Sequence, residues 1–97
     1  MARLTCLNLV TQWEHNQASK YPEISLFIEK LKNDILKKPD SGLPAPTLSV
    51  KGKILPCLKK SVNISMFSYQ YALGYNFITA TYVYNENDIL IIKMYYS

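Results

Sequence analysis

The rhythm of apolar and polar positions changes once along this chain, near its middle. Ile24, Phe27, Ile28, Leu31 and Ile35 recur at offsets of 3, 4, 7 and 11 residues. That is one apolar stripe of an amphipathic helix. Glu29, Lys30, Lys32, Asn33 and Asp34 occupy the other face. Ser19-Lys20-Tyr21-Pro22-Glu23 reads as the helix start, because proline lacks an N–H that the first turn leaves unpaired anyway. Lys37 and Lys38 complement the negative end of the helix dipole, and Pro39 stops the helix. Upstream, residues 3–10 fit two readings. They form a short strand passing into a helix, or part of one helix reaching about Ala18. Trp13 reads as core.

Beyond residue 46 the period shortens to two. Residues 39–46 hold three prolines and a glycine and read as a loop. Residues 47–50 alternate, Lys51-Gly52-Lys53 reads as a turn, and Pro56 confines the next run to an edge or a strand start. From residue 58 to 67, Leu58, Lys60, Val62, Ile64 and Met66 alternate with Lys59, Ser61, Asn63, Ser65 and Phe67, as in a half-buried strand. Residues 68–73 read as loop or bulge. The closing stretch, YNFITATYVYNENDILIIKMYYS, holds two β-rich runs around the turn cluster Asn85-Glu86-Asn87-Asp88 and predicts a hairpin. Alternation puts Tyr82 and Tyr84 on one face and Tyr75 on the other. It groups Lys93 and Tyr95 with Ile89 and Ile91, and Met94 with Tyr96. The whole predicts an α+β fold, with one or two N-terminal helices packed on an antiparallel sheet of about four strands.

Length makes this one domain, 1–97. No apolar run approaches a membrane span, and the N-terminus resembles neither a signal peptide nor an anchor, so a cytoplasmic protein is expected. Cys6, Cys57 and His15 are too few for a structural zinc site, and the two cysteines are expected as buried, reduced thiols. No metal or other cofactor is expected. The net charge of +4 is unevenly spread: no acid falls between Ser41 and Asn85, where Lys51, Lys53, Lys59 and Lys60 lie. Such a segment attracts polyanions or an acidic partner, and its lysines also keep exposed strands soluble.

Paired carboxylates are missing from the strand half, apart from Glu86 and Asp88 in the turn, and no glycine-rich phosphate loop exists. A Cys57–His15 nucleophile pair is a minor alternative. Lysines and tyrosines remain. Lys51, Lys53, Lys59, Lys60 and Lys93 can hold phosphates. Tyr69, Tyr71, Tyr75, Tyr82, Tyr84, Tyr95 and Tyr96 can stack bases, although tyrosine is also a favoured strand residue.

The order of helix, LxVKGK, the basic run CLKKSVNI, YNFITATYVYN and DILIIKMYYS resembles the RelE/ParE toxin superfamily over residues 24–97. Lys51-Gly52 matches the family's KG step, Lys59 and Lys60 fall where it carries basic residues, and Tyr95-Tyr96 matches its terminal aromatic position. Where the family commonly has arginine after tyrosine, this chain has Asn76 after Tyr75, and its one arginine is Arg3. The resemblance implies a metal-independent, ribosome-dependent mRNA endoribonuclease neutralised by a cognate antitoxin. Lys59, Lys60, Lys93 and Tyr95 would be catalytic; Lys51, Lys53 and Tyr96 would bind the RNA. A second reading is a small non-catalytic inhibitor of phage or mobile-element origin that blocks a host protein complex through a basic, Tyr-rich surface. A gyrase-directed relative on the same fold is a third.

Overall fold

The computed structural model describes residues 3–66, 73–85 and 88–97. The order is β1 (Arg3–Cys6), α1 (Asn8–Lys20), α2 (Ile24–Lys37), a short 3-10 turn (Pro39–Ser41), β2 (Leu43–Val50), β3 (Lys53–Asn63), β4 (Phe77–Tyr84) and β5 (Asp88–Tyr96). The strands form one five-stranded sheet in the order β1-β5-β4-β3-β2. Both helices pack on one face of it, so the architecture is α+β. No helix among the described residues is long and apolar enough to cross a membrane.

The helix stripe does what its spacing predicts. Ile24, Ile28, Leu31 and Ile35 of α2 are buried against Val62, Ile64, Ile78, Ala80, Tyr82, Ile89, Ile91 and Met94. Burying each such aliphatic side chain contributes about 1.5–3 kcal/mol. Val10 is the buried anchor of α1, with Trp13 and Ala18 packed beside it. Ser19 and Lys20 finish α1 instead of starting α2, and Pro22 and Glu23 occupy the turn between them. Glu14 of α1 ties the helices together: Lys32 Nζ of α2 donates to its Oε2 at 2.9 Å and lies 2.8 Å from Oε1.

Four expectations are corrected. The sheet has five strands, not about four, and is mixed: β1 pairs in parallel with β5, Leu4 opposite Ile89 and Cys6 opposite Ile91. Of the two readings for residues 3–10, strand then helix is observed. β3 is one strand through Pro56, and β2 begins at Leu43, inside the proline-rich stretch. Edge strands tolerate proline because one row of their N–H groups has no ladder partner. β2 is such an edge, and its register with β3 slips by one residue between Ala45 and Leu48. Tyr75 stacks on Tyr96, with centroids 5.6 Å apart, so it lies on the helix side together with Tyr82. Residues 67–72, read as strand end and loop, lie outside the described residues.

The fourth correction matters most for function. Between Thr81 and Tyr82 the β4–β5 register shifts: Thr81 pairs with Lys93 but Tyr82 with Ile91. Ile92 is the extra residue of a bulge. Ile89 and Ile91 therefore turn to the helices together with Met94 and Tyr96, while Lys93 and Tyr95 turn away. Uniform alternation would have kept the isoleucines with Lys93.

Both turns follow local chemistry. Lys51 (φ 50°) and Gly52 (φ 78°) are the two left-handed residues of the β2–β3 turn, the backbone that a two-residue hairpin loop requires. At the β4–β5 turn, Asp88 N–H donates to Asn85 Oδ1 and Asn85 N–H to Asp88 O, each at 2.9 Å. Cys6 faces the helices from β1, whereas Cys57 sits on β3 with β4 and β5 between. Three strand spacings, roughly 14 Å, separate them, beyond disulfide reach, and both thiols are free.

Candidate functional site

The sheet face opposite the helices is covered by no element among the described residues. On β3 the open face takes Lys59, Ser61 and Asn63; on β4, Phe77, Thr79 and Thr81; on β5, Lys93 and Tyr95. Register arranges these side chains in rows. Lys59 stands opposite Thr81, which stands opposite Lys93. The next row is Ser61, Thr79 and Tyr95. Two strand spacings put the Lys59 and Lys93 backbones roughly 10 Å apart, with the Thr81 hydroxyl between them.

The rows are tied by hydroxyl groups. Ser61 Oγ and Thr79 Oγ1 share a hydrogen bond of 2.8 Å, and Thr79 Oγ1 and Ser97 Oγ share one of 2.7 Å. Thr79 and Thr81 are only 3% and 8% exposed, so the floor between the lysines is shielded from solvent. Lys93 Nζ lies 5.0 Å from the Tyr95 ring centroid, a cation–π distance that holds the ammonium along the strand. Within the described residues, the carboxylate of this face is Asp88 at the far end of β5. It pairs with Arg3 at 3.5 Å, both side chains being well exposed.

Three of the four residues expected to be catalytic, Lys59, Lys93 and Tyr95, thus share one face. Lys60 does not. Its neighbour in sequence points outward, so it points inward, where Nζ donates to Asp34 O at 3.1 Å and lies 3.6 Å from Asp34 Oδ2. Its side chain is 8% exposed. Lys60 anchors α2 to β3. Tyr96 also faces the helices. Its hydroxyl donates to Gln17 Oε1 at 2.8 Å, and its ring meets Trp13 with centroids 5.1 Å apart. Burial pushes its pKa up to about 12. Lys51 and Lys53 sit at the β2–β3 turn, remote from the Lys59–Lys93 row along β3.

Sequence reasoning missed the hydroxyls. Ser61, Thr79, Thr81 and Ser97 lie between the charged groups only because of the three-strand register. The pattern Thr79-Ala80-Thr81 was the available signal, a polar pair at strand period around a buried alanine.

Among the described residues no cluster of His, Cys, Asp and Glu is suited to hold a metal ion. The chain matches no family model, no curated protein and no solved structure.

Proposed function

We propose that this protein is a RelE/ParE-like toxin that cuts messenger RNA on the ribosome, with the open sheet face as its active surface. The observation that carries this reading is the row of Lys59, Thr81 and Lys93 beside Tyr95 on the sheet face opposite α1 and α2. A phosphodiester seated over Thr81 lies within reach of both ammonium groups. The ribose 2′-hydroxyl gives up its proton to solvent as its oxygen attacks phosphorus, the bond to the 5′-oxygen breaks and that oxygen takes up a proton, and a 2′,3′-cyclic phosphate and a 5′-hydroxyl result. Charge gathers on the phosphoryl oxygens in the transition state, where Lys59 and Lys93 stabilise it. Tyr95 assists proton transfer to the leaving oxygen. Lys51 and Lys53 extend the basic track along the RNA, and an antitoxin covers the face in the resting pair. Lys60 and Tyr96 hold the scaffold.

A second reading is favoured by one feature. The lysine row has no arginine beside it, since Arg3 stands at the far end of the sheet paired with Asp88, and lysine lacks the bidentate fork that grips phosphate. A non-catalytic inhibitor would bind a host complex through the same lysines and tyrosine. The test is induced expression with mapping of messenger 5′ ends, and cleavage in a translating extract. In-frame cuts that vanish in Lys59→Ala, Lys93→Ala and Tyr95→Phe, with folding intact, support the nuclease. Translation that proceeds without cuts, or cuts that survive all three substitutions, overturns it.

A further inference from the structure

β3 outruns its outer neighbour. β2 begins opposite Lys59, so residues 60–63 have β4 on one side and, among the described residues, no strand on the other. The direction of the backbone follows from two contacts. Ile64 N–H donates to Asn76 O, toward β4. Peptide groups alternate in direction along a strand, so Lys60 and Val62 also bond to β4, while Ser61 and Asn63 present N–H and C=O outward. Lys59 has the same parity as these two and turns toward β2, where a Cβ added to Gly42 would lie 3.1 Å from Lys59 O.

A cleft of about 1030 Å³ borders this edge, walled by Lys30, Asp34, Leu36 and Lys37 of α2 and by Ser61 and Asn63. A hollow of about 310 Å³, lined by Asp34, Leu43 and Lys59, continues it toward the start of β2. Asp34 is already engaged by Lys60, which leaves Lys30, Lys37 and Lys59 as a positive rim. An unpaired strand edge is ordinarily a hazard that proteins cover.

We propose that this edge takes an extended, acidic peptide segment of a partner protein as an added strand on β3, beyond the point where β2 begins. Ser61 and Asn63 offer two donors and two acceptors at the repeat of a peptide strand. Alternate side chains of the segment enter the cleft against Leu36 and Val62, and its carboxylates meet Lys30 and Lys37. Main-chain bonding supplies affinity in this mode and the flanking side chains supply selectivity. Among the described residues no aromatic ring lines the cleft for base stacking, which favours a peptide over single-stranded RNA. The inference goes beyond RNA cleavage and does not depend on it: the strand is held by the Ser61 and Asn63 backbone and by Lys30 and Lys37, and Lys59 is the one residue the two surfaces share.

The test uses the full chain and a fluorescein-labelled peptide of alternating glutamate and valine, followed by fluorescence anisotropy and amide hydrogen exchange. Saturable binding is expected, with slowed exchange at the Ser61 and Asn63 amides. The double variant Lys30→Glu/Lys37→Glu, altered only on the exposed face of α2, should weaken binding by about tenfold or more. Of two peptides N-methylated at alternate sets of residues, one should bind and the other should not. No saturable binding up to millimolar peptide would overturn the proposal. So would equal binding of both methylated peptides, which signifies charge attraction alone. Stronger protection of the same two amides by oligouridylate than by the peptide would overturn it in favour of RNA.

Discussion

Replacing Tyr82 with phenylalanine tests how the sheet holds the chain that leaves α2. Tyr82 is fully buried at the centre of β4, and its hydroxyl donates to Pro39 O at 2.6 Å. The substitution removes one short hydrogen bond and leaves that carbonyl without this donor. The expected loss near neutral pH is about 1–2 kcal/mol. A second consequence depends on pH. Burial, then the neighbouring Tyr84, push the Tyr82 pKa from 10.0 up to about 12. Below the unfolded pKa both states are protonated and the group adds no pH dependence. Above it the unfolded chain releases the proton first, so stability falls as pH rises from the unfolded pKa toward the folded one. At about pH 11 that loss is about 1.4 kcal/mol, one pH unit above the unfolded value. Phenylalanine cannot ionise, so the gap between wild type and Tyr82→Phe should shrink by about that amount and nearly close. Tyr96, also raised to about 12, titrates in both proteins and cancels. The assay is urea unfolding followed by Trp13 fluorescence, for both proteins, at about pH 8 and about pH 11. A stability gap that stays the same at the two pH values would refute the argument, because the buried phenol would then not be the group that titrates.

Two further outcomes follow from side-chain placement. Lys60→Met should change stability by about 1 kcal/mol or less, because Asp34 is 60% exposed and its carboxylate returns to water while methionine fills the lysine's place, and it should leave any cleavage by the open face intact. Thermal unfolding and the cleavage assay check both parts, and a cleavage loss equal to that of Lys59→Ala would contradict the scaffold role. Gly42→Ala should destabilise by about 1–3 kcal/mol or more, measured by denaturant midpoint, since the new Cβ would lie 2.5 Å from Tyr82 Oη and 2.9 Å from Leu58 Cβ.

The elements that sequence reveals here are those with long, regular periods. The α2 stripe repeats one rhythm over many residues and stands in the fold as expected, and the β4–β5 hairpin is there as paired strands although its face assignment changes at the bulge. β1 is four residues long, too short for a period to separate strand from helix. The bulge at Ile92 is equally hidden, because one inserted residue reverses every side chain on one side of it without altering composition. β2 defeats a propensity argument because Pro44 and Pro46 are harmless on an edge. The site divides the same way. Alternation in β3 already separates Lys59 from Lys60, since adjacent strand residues cannot share a face, and Leu58, Val62 and Ile64 mark the buried parity. The hydroxyl row needed register across three strands, which no local pattern supplies.

The parallel pairing of β1 with β5 bears on how this chain is made. Arg3 and Asp88 are 85 positions apart, and closing a loop of that length costs about 4 kcal/mol of chain entropy before any contact repays it. Hairpins with short connections form first. During synthesis β1 emerges before the strand it pairs with exists, and α1 and α2 appear with no sheet to cover their apolar faces. β1 can pair only once β5 has been made, so this parallel edge of the sheet closes after the strand that completes it.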